Sequence, residues 1–402
     1  MTDASRGRNP VYLDNHSTTR VDPRVIEAML PFFSQTYGNA ASTNHKFGWD
    51  ARDAVEAARE QIAGAIGANS REIVLTSGAT ESNNLAIRGV AERQKRRGNH
   101  ILTVSTEHKA VLDPIARLGR RGYDVTVLGV EQLPSPQTGL LDVSRVAAAI
   151  RDDTVLVSVM LANNEIGVIQ PMAEIAALTK SRGVLLHCDA TQAVGKLPVD
   201  VESLGVDLMS FSAHKLYGPK GIGALYVRRS APPVRLEALI AGGGHEGGLR
   251  SGTLNVPGIV GFARAIELSL AELPAEGVRL RGLRDGLYAG LQANIDDIRL
   301  NGPALERPEL RLANNLNVSF AYVEGEALIL NIADMAVSSG SACTSANPEP
   351  SHVLRAIGLD EDATRSSLRF GLGRFNTSEE IDFAVDVLAA AVRKLRKLSS
   401  LA

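Results

Sequence analysis

Lys215 stands in SFSAHKLYGPKGIGALYVRR (210–229), just past an apolar run, with Ser212 and His214 beside it. A lysine held in a partly desolvated site loses its proton more easily and becomes a nucleophile toward carbonyls. Ser212 and His214 suit phosphate oxygens, and Gly218, Gly221 and Gly223 permit close backbone approach. Taken alone, this lysine reads better as a solvated residue in a hairpin. Cys343 lies in SSGSACTSANPEPSHVLRAIGL (338–359), among Ser, Gly, Ala and Thr. Structural cysteines usually sit in apolar runs, as Cys188 does in VLLHC (184–188). Cys343 reads instead as a thiol on a mobile loop of small residues. Asp189, in HCDATQA (187–193), follows a strongly apolar strand. A carboxylate there needs a cationic partner, and a protonated pyridine nitrogen would serve. Gln192, three residues on, could reach an oxygen of the same ring; a helix cap at Asp189 explains the segment equally well.

Three further stretches carry weaker signals. LTSGATESNNLAIRG (75–89) reads as strand, Ser-Gly turn and helix, which aims free N–H groups and the positive end of a helix dipole at one point. Thr80 adds a hydroxyl. The pattern fits a phosphate cradle, though taken alone it reads better as an ordinary capped turn. His108, in STEHKAV (105–111), could stack on a ring and move protons, since imidazole titrates near neutrality. Arg369, in LRFGLGRF (368–375), could grip a carboxylate through its planar fork. Taken alone, Arg369 reads better as a surface arginine and His108 as a structural histidine. GGGHEGGLRSGT (242–253) precedes no strand-to-helix fingerprint, so a dinucleotide site is rejected.

The elements that must position these residues alternate along the chain. Apolar runs 72–76, 100–104, 124–128, 155–160, 184–188 and 207–211 read as buried strands. Helical patterns at 50–66, 81–96, 109–120, 142–150 and 171–182 lie between them or precede them. Such alternation predicts an α/β fold with a mostly parallel sheet covered by helices, its ligands bound at the carboxyl ends of the strands. Beyond about residue 265 helices are expected at 257–273, 276–294 and 378–398, around strands near 297–300, 315–320 and 367–370. This predicts a large domain over 15–265 and a smaller α+β domain built from 1–14 and 266–402.

Composition narrows the classes. A net charge of −2 argues against a chain built to grip nucleic acid or an anionic membrane. No apolar run reaches the roughly 20 residues of a bilayer span, and the N-terminus lacks a secretory signal. With only two cysteines there is no disulfide framework, so a cytoplasmic location is expected. No close Cys/His spacing predicts a resident metal.

In order, the stretches YLDNHSTTRVDPRV, TSGATESNN, TEHKAV, NNEIGV, DATQAVGK, SAHKLYGPKGIGALYVRR, GGGHEGGLRSGT, SSGSACTSA and LRFGLGRF resemble the cysteine desulfurases of the IscS/NifS type. These belong to the class-V aminotransferase group of pyridoxal-phosphate enzymes, with fold type I. The resemblance runs from about residue 11 to residue 388, and the long Cys segment matches the IscS/NifS branch rather than the SufS branch. It implies that Lys215 binds pyridoxal 5'-phosphate covalently and that Ala79, Thr80, Ser212 and His214 hold its phosphate. Thr253 would reach that phosphate from the other subunit of a homodimer. Asn164 and Gln192 would contact the ring-oxygen side, Asp189 the pyridine nitrogen, and His108 the ring face. Arg369, with Asn164, would bind the carboxylate of L-cysteine. Cys343 would take the sulfur as a persulfide and pass it to an acceptor such as an iron–sulfur scaffold, with which it could transiently share a cluster. The sequence stops at KLRKLSSLA, where relatives of this type continue, which leaves the acceptor open. Two other activities remain in view, a selenocysteine lyase and a plain aminotransferase, though the latter has no use for Cys343. A non-catalytic assembly scaffold is a third reading, against which the intact Lys215, Asp189, His108 and Cys343 speak.

Overall fold

The computed structural model describes residues 10–339 and 350–398. Cys343 therefore lies outside the described residues. Thirteen strands are found among them: β1 (Val11–Tyr12), β2 (Ile73–Thr76), β3 (His100–Val104), β4 (Asp124–Leu128), β5 (Thr154–Met160), β6 (Leu185–Asp189), β7 (Leu208–Ser212), β8 (Gly223–Val227), β9 (Ile298–Leu300), β10 (Asn315–Phe320), β11 (Met335–Ala336), β12 (Ser338–Ser339) and β13 (Ser367–Gly371).

The main sheet has seven strands in the order β2-β8-β7-β6-β5-β3-β4. Strands β4, β3, β5, β6 and β7 pair in parallel, and only β8 runs against its neighbours. Central strands of such a sheet are covered on both faces, which is why β5 and β7 are buried at every position and read as continuous apolar runs. The edge strand β4 is exposed at Asp124 and Val127 and fully buried nowhere. The predicted strands appear within a residue or two of their expected ends. The expected α/β class, a mostly parallel sheet flanked by helices, is the observed one.

A second sheet, β12-β13-β10-β9, is antiparallel throughout and has its own apolar core with Leu316, Val318, Phe320, Leu368, Phe370 and Leu388. Val11 and Leu13 also pack there, so the chain's start is folded against its second half.

The helix expected in two pieces, 257–273 and 276–294, is one helix of 39 residues, Val256–Asn294. Pro274 sits inside it. A proline removes one backbone donor and crowds the preceding turn, yet the helix is held on both sides of that point. Ile259, Phe262, Ala265 and Ile266 enter the first core, and Leu280, Leu287 and Leu291 enter the second. Burial of the two halves outweighs the local cost. This helix thus runs across the proposed division at 265/266, and the change of core falls between Leu268 and Leu280. The short helix His352–Ala356 also departs from a simple division, since Val353 and Leu354 join the first core.

Candidate active site

A cavity of about 550 Å³ opens at the carboxyl ends of the parallel strands. It is lined by Ala79, Thr80, His108, Asn164, Asp189, Gln192, Ser212, His214, Lys215 and Arg369, so every expected site residue within reach of one described chain is there except Thr253. Thr253 is exposed and does not line the cavity of its own chain.

One end is built by the turn after β2. Gly78 caps the helix Ala79–Gln94 with φ +146 and no side-chain cap. The first N–H groups of that helix therefore face the cavity side unclaimed by a capping side chain. Strand β8 must pass very close: a Cβ on Gly223 would lie 2.6 Å from Gly78 Cα and 2.7 Å from Phe211 O. Glycine is required there by contact with backbone. Glu81 braces the turn, accepting from Ser77 N–H at 2.8 Å and from Arg250 Nε at 2.8 Å. The Gly-rich stretch 242–253 thus braces the turn through Arg250.

Ser212 and His214 flank this end from the end of β7. His214 is brought to about 4 by burial and by the charges of Lys215, Lys220 and Lys196. It is a neutral imidazole near pH 7, and its Nδ1 lies 3.2 Å from Thr18 Oγ1. Lys215 follows in a single turn of tight helix, Ala213–Lys215. Its ammonium nitrogen donates to His16 O at 2.8 Å and Ser17 O at 2.5 Å. The hairpin reading of a solvated lysine is thereby set aside.

Asp189 ends β6 and is 4 % exposed. Its hydrogen-bond partners among the described residues are neutral. Asn83 Nδ2 donates to Oδ2 at 2.8 Å, and Thr191 N–H to Oδ1 at 3.0 Å. No helix begins at Asp189, so the helix-cap reading falls away; Oδ1 holds the turn through Thr191 and Oδ2 takes Asn83 Nδ2. His108 caps the helix Lys109–Gly119, its Nδ1 accepting from Ala110 N–H at 3.0 Å. Burial lowers its pKa, so the ring is neutral with the proton on Nε2.

Asn164 is positioned by its neighbour. Asn163 Oδ1 accepts from the N–H groups of Glu165 and Ile166, and Asn163 Nδ2 donates to Thr106 O. Arg369, on β13, is 5 % exposed. Nη1 donates to Asn164 O at 3.2 Å, and Nη2 to Asp14 Oδ1 and Ser17 Oγ, both at 2.8 Å. Nε is buried without a hydrogen-bond partner. The surface-arginine reading does not survive this burial. Cys188, 0 % exposed, is core as expected, and burial pushes its thiol up.

Several functional neighbours were not singled out from the sequence. Asp14, His16, Ser17 and Thr18 belong to one polar segment after β1, and Asn83 lies one turn inside the cradle helix. A detectable signal existed for Asn83: it is polar on a face otherwise occupied by Ala86, Ile87 and Val90.

The residues fit pyridoxal phosphate. An uncapped helix N-terminus with Ser212 and His214 matches a phosphate, and a carboxylate with neutral partners matches a pyridinium N–H. Asn83 Oδ1 and Thr191 Oγ1 are buried near that carboxylate with no hydrogen-bond partner among the described residues. The Aminotransferase class-V family model matches residues 11–383. The chain belongs to the class-V aminotransferases. Within them it is 58 % identical over 392 residues to Cysteine desulfurase IscS of Anaeromyxobacter dehalogenans (strain 2CP-C), covering 98 % of this chain and 95 % of that one. Among solved structures it is similar to a NifS-like protein, with TM-score 0.85 and 38 % identity over 97 % of this chain and 99 % of that one. It is also similar to SspA in complex with cysteine, with TM-score 0.78 and 35 % identity over 91 % of this chain and 100 % of the other. This class-V aminotransferase is accordingly a cysteine desulfurase, and the mostly parallel sheet is that of its NifS-like structural neighbours. No helix among its described residues is long and apolar enough to cross a membrane.

Proposed function

We propose that the chain removes sulfur from L-cysteine with pyridoxal 5'-phosphate as cofactor, releasing L-alanine and leaving a persulfide on Cys343. Lys215 would bind the cofactor covalently. Ala79, Thr80, Ser212 and His214 would hold its phosphate, joined by Thr253 of a second copy in a homodimer. Asp189 would face the ring nitrogen, His108 the ring, and Gln192 and Asn164 the ring-oxygen side. When bound, the cofactor supplies an electron sink for the substrate α-carbon.

The chain's own residues account for the rest. Arg369 orients the substrate carboxylate, with Asn164 fixed against it. Lys215 would take the substrate α-proton. The thiolate of Cys343 attacks the substrate sulfur; the S–S bond forms as the Cβ–S bond breaks. The electron pair stays on the three-carbon fragment, which takes one proton at its β-carbon, regains one at its α-carbon and departs as alanine. His108, neutral with its proton on Nε2, is suited to hand protons over at this stage. The persulfide then goes to an acceptor protein such as an iron–sulfur scaffold. We place the reaction in the cytoplasm, where free thiols persist.

The observation that carries this reading is the meeting of Lys215, Asp189, His108 and Arg369 around one cavity. The test is alanine release from L-cysteine by wild type and Cys343→Ala. The variant should keep the yellow colour of the cofactor-loaded protein and form no persulfide. Wild-type turnover in Cys343→Ala would refute the sulfur route while leaving the cofactor site standing.

A further inference from the structure

Gln192 is 4 % exposed and lines the cavity, and its amide has three polar contacts. Its Nε2 donates to His16 O at 2.9 Å. Its Oε1 lies 2.6 Å from Lys196 Nζ and 3.1 Å from His16 Nδ1. A peptide carbonyl can only accept, so His16 O fixes the nitrogen end of the amide, while Lys196, brought to about 7 by burial, supplies a donor N–H to the oxygen end. Turning the amide over would set its NH2 against Lys196 and its oxygen against the carbonyl of His16. Two hydrogen bonds would become two repulsions, so one orientation is dictated by the partners.

The imidazole of His16 adds to this. Its Nε2 lies 3.3 Å from Asn315 Nδ2. Asn315 Nδ2 also donates to Glu165 O at 3.1 Å, and Asn315 Oδ1 accepts from Arg311 Nη2 at 3.2 Å, which settles which end of that amide faces His16. His16 Nε2 is therefore an acceptor and Nδ1 carries the proton. Burial and the neighbouring cations hold this ring neutral. Two donors thus converge on Gln192 Oε1, and its amide nitrogen retains one N–H with no acceptor among the described residues. Lys196 does not line the cavity.

We infer that Lys196 is a positioning residue: by claiming Gln192 Oε1 it directs the remaining N–H of Gln192 to an oxygen of the bound cofactor. Asn315, on β10 of the second sheet, does the same through His16, so the amide's orientation is set jointly by both halves of the chain. This rests on the reading of the cavity as the pyridoxal phosphate site.

The test is a double-mutant cycle on full-length protein. Wild type, Lys196→Met, Gln192→Leu and the double variant are compared by apparent Kd for pyridoxal phosphate and by the visible absorbance maximum of the loaded protein. Lys196→Met should weaken binding roughly tenfold and move the absorbance maximum when Gln192 is present. In the Gln192→Leu background it should change neither, and Lys196→Arg should restore both. Equal effects in the two backgrounds, or no effect in either, would overturn the inference. If Lys196→Met does not fold, Gln192→Glu takes its place, since it keeps the acceptor for Lys196 and removes the N–H. Its cofactor affinity should fall roughly tenfold with the melting temperature retained; unchanged affinity would overturn the assignment. If wild type takes up no pyridoxal phosphate at all, the reading of the cavity fails first, a result distinct from all of these.

Discussion

The Asn83 amide donates to the Asp189 carboxylate across 2.8 Å, from the second turn of the helix Ala79–Gln94 to the end of β6. That same helix presents its uncapped N-terminus at the other end of the cavity. One rigid element therefore sets the spacing between the proposed phosphate cradle and the proposed partner of the ring nitrogen. It does so with a neutral group, leaving the carboxylate's charge for a ligand.

Asp189→Asn keeps the shape and removes the charge. Turnover of L-cysteine should fall by about 10²-fold, the scale seen when one preorganised charge-stabilising group is lost. The melting temperature of the cofactor-free chain should not fall, because the variant no longer buries a charge. Steady-state kinetics and a thermal melt check the two halves.

Arg369→Lys should raise KM for L-cysteine by about 10- to 100-fold, the worth of a charge-assisted hydrogen bond. Lysine offers a point charge in place of a fork and cannot also hold Asp14, Ser17 and Asn164. Cofactor absorbance should persist. A KM unchanged from wild type would remove Arg369 from the carboxylate site.

Gly223→Ala places a Cβ against the backbone of Gly78 and Phe211. Neither neighbour is a flexible tip that can swing away. The expected cost is about 1–3 kcal/mol in denaturant unfolding, as for other overpacked positions. Because the displaced turn is the cradle, pyridoxal phosphate affinity should fall as well. The two effects together distinguish this position from an ordinary core glycine.

Glu107 gives the protein a stability that depends on pH. Its Oε1 accepts from Met160 N–H at 2.7 Å, while Oε2 is buried without a hydrogen-bond partner. Burial raises this carboxyl well above its ordinary value of 4.5. The folded chain thus keeps a proton that the unfolded chain releases above that value. Stability from this group is full below the unfolded value and declines as pH rises toward the raised folded one. Glu107→Gln cannot ionise. It should melt roughly 2 °C higher than wild type at pH 8 and close to wild type at pH 4, measured by scanning calorimetry.

Much was determined by sequence alone. The strands β5, β6 and β7 announce themselves because a parallel sheet buries both faces, so burial leaves a local imprint in unbroken apolar runs. Lys215, Asp189, His108 and Arg369 stood out at strand ends, where this fold gathers ligands, but Lys215, His108 and Arg369 alone read better as structural or solvated residues and Asp189 was evenly balanced. The order of nine motifs then named the family. What the tertiary structure alone decided is which neighbours complete each group. His16 acts on residues nearly two hundred positions away, accepting from Lys215 and Gln192 through its carbonyl. Asp14 meets Arg369 across the whole chain. Local pattern carries no record of such pairings, because hydrogen bonds between distant segments form only when packing brings them together. Pro274 shows the same limit from the other side. Read locally it ends a helix, but the two cores that grip either half keep Val256–Asn294 continuous.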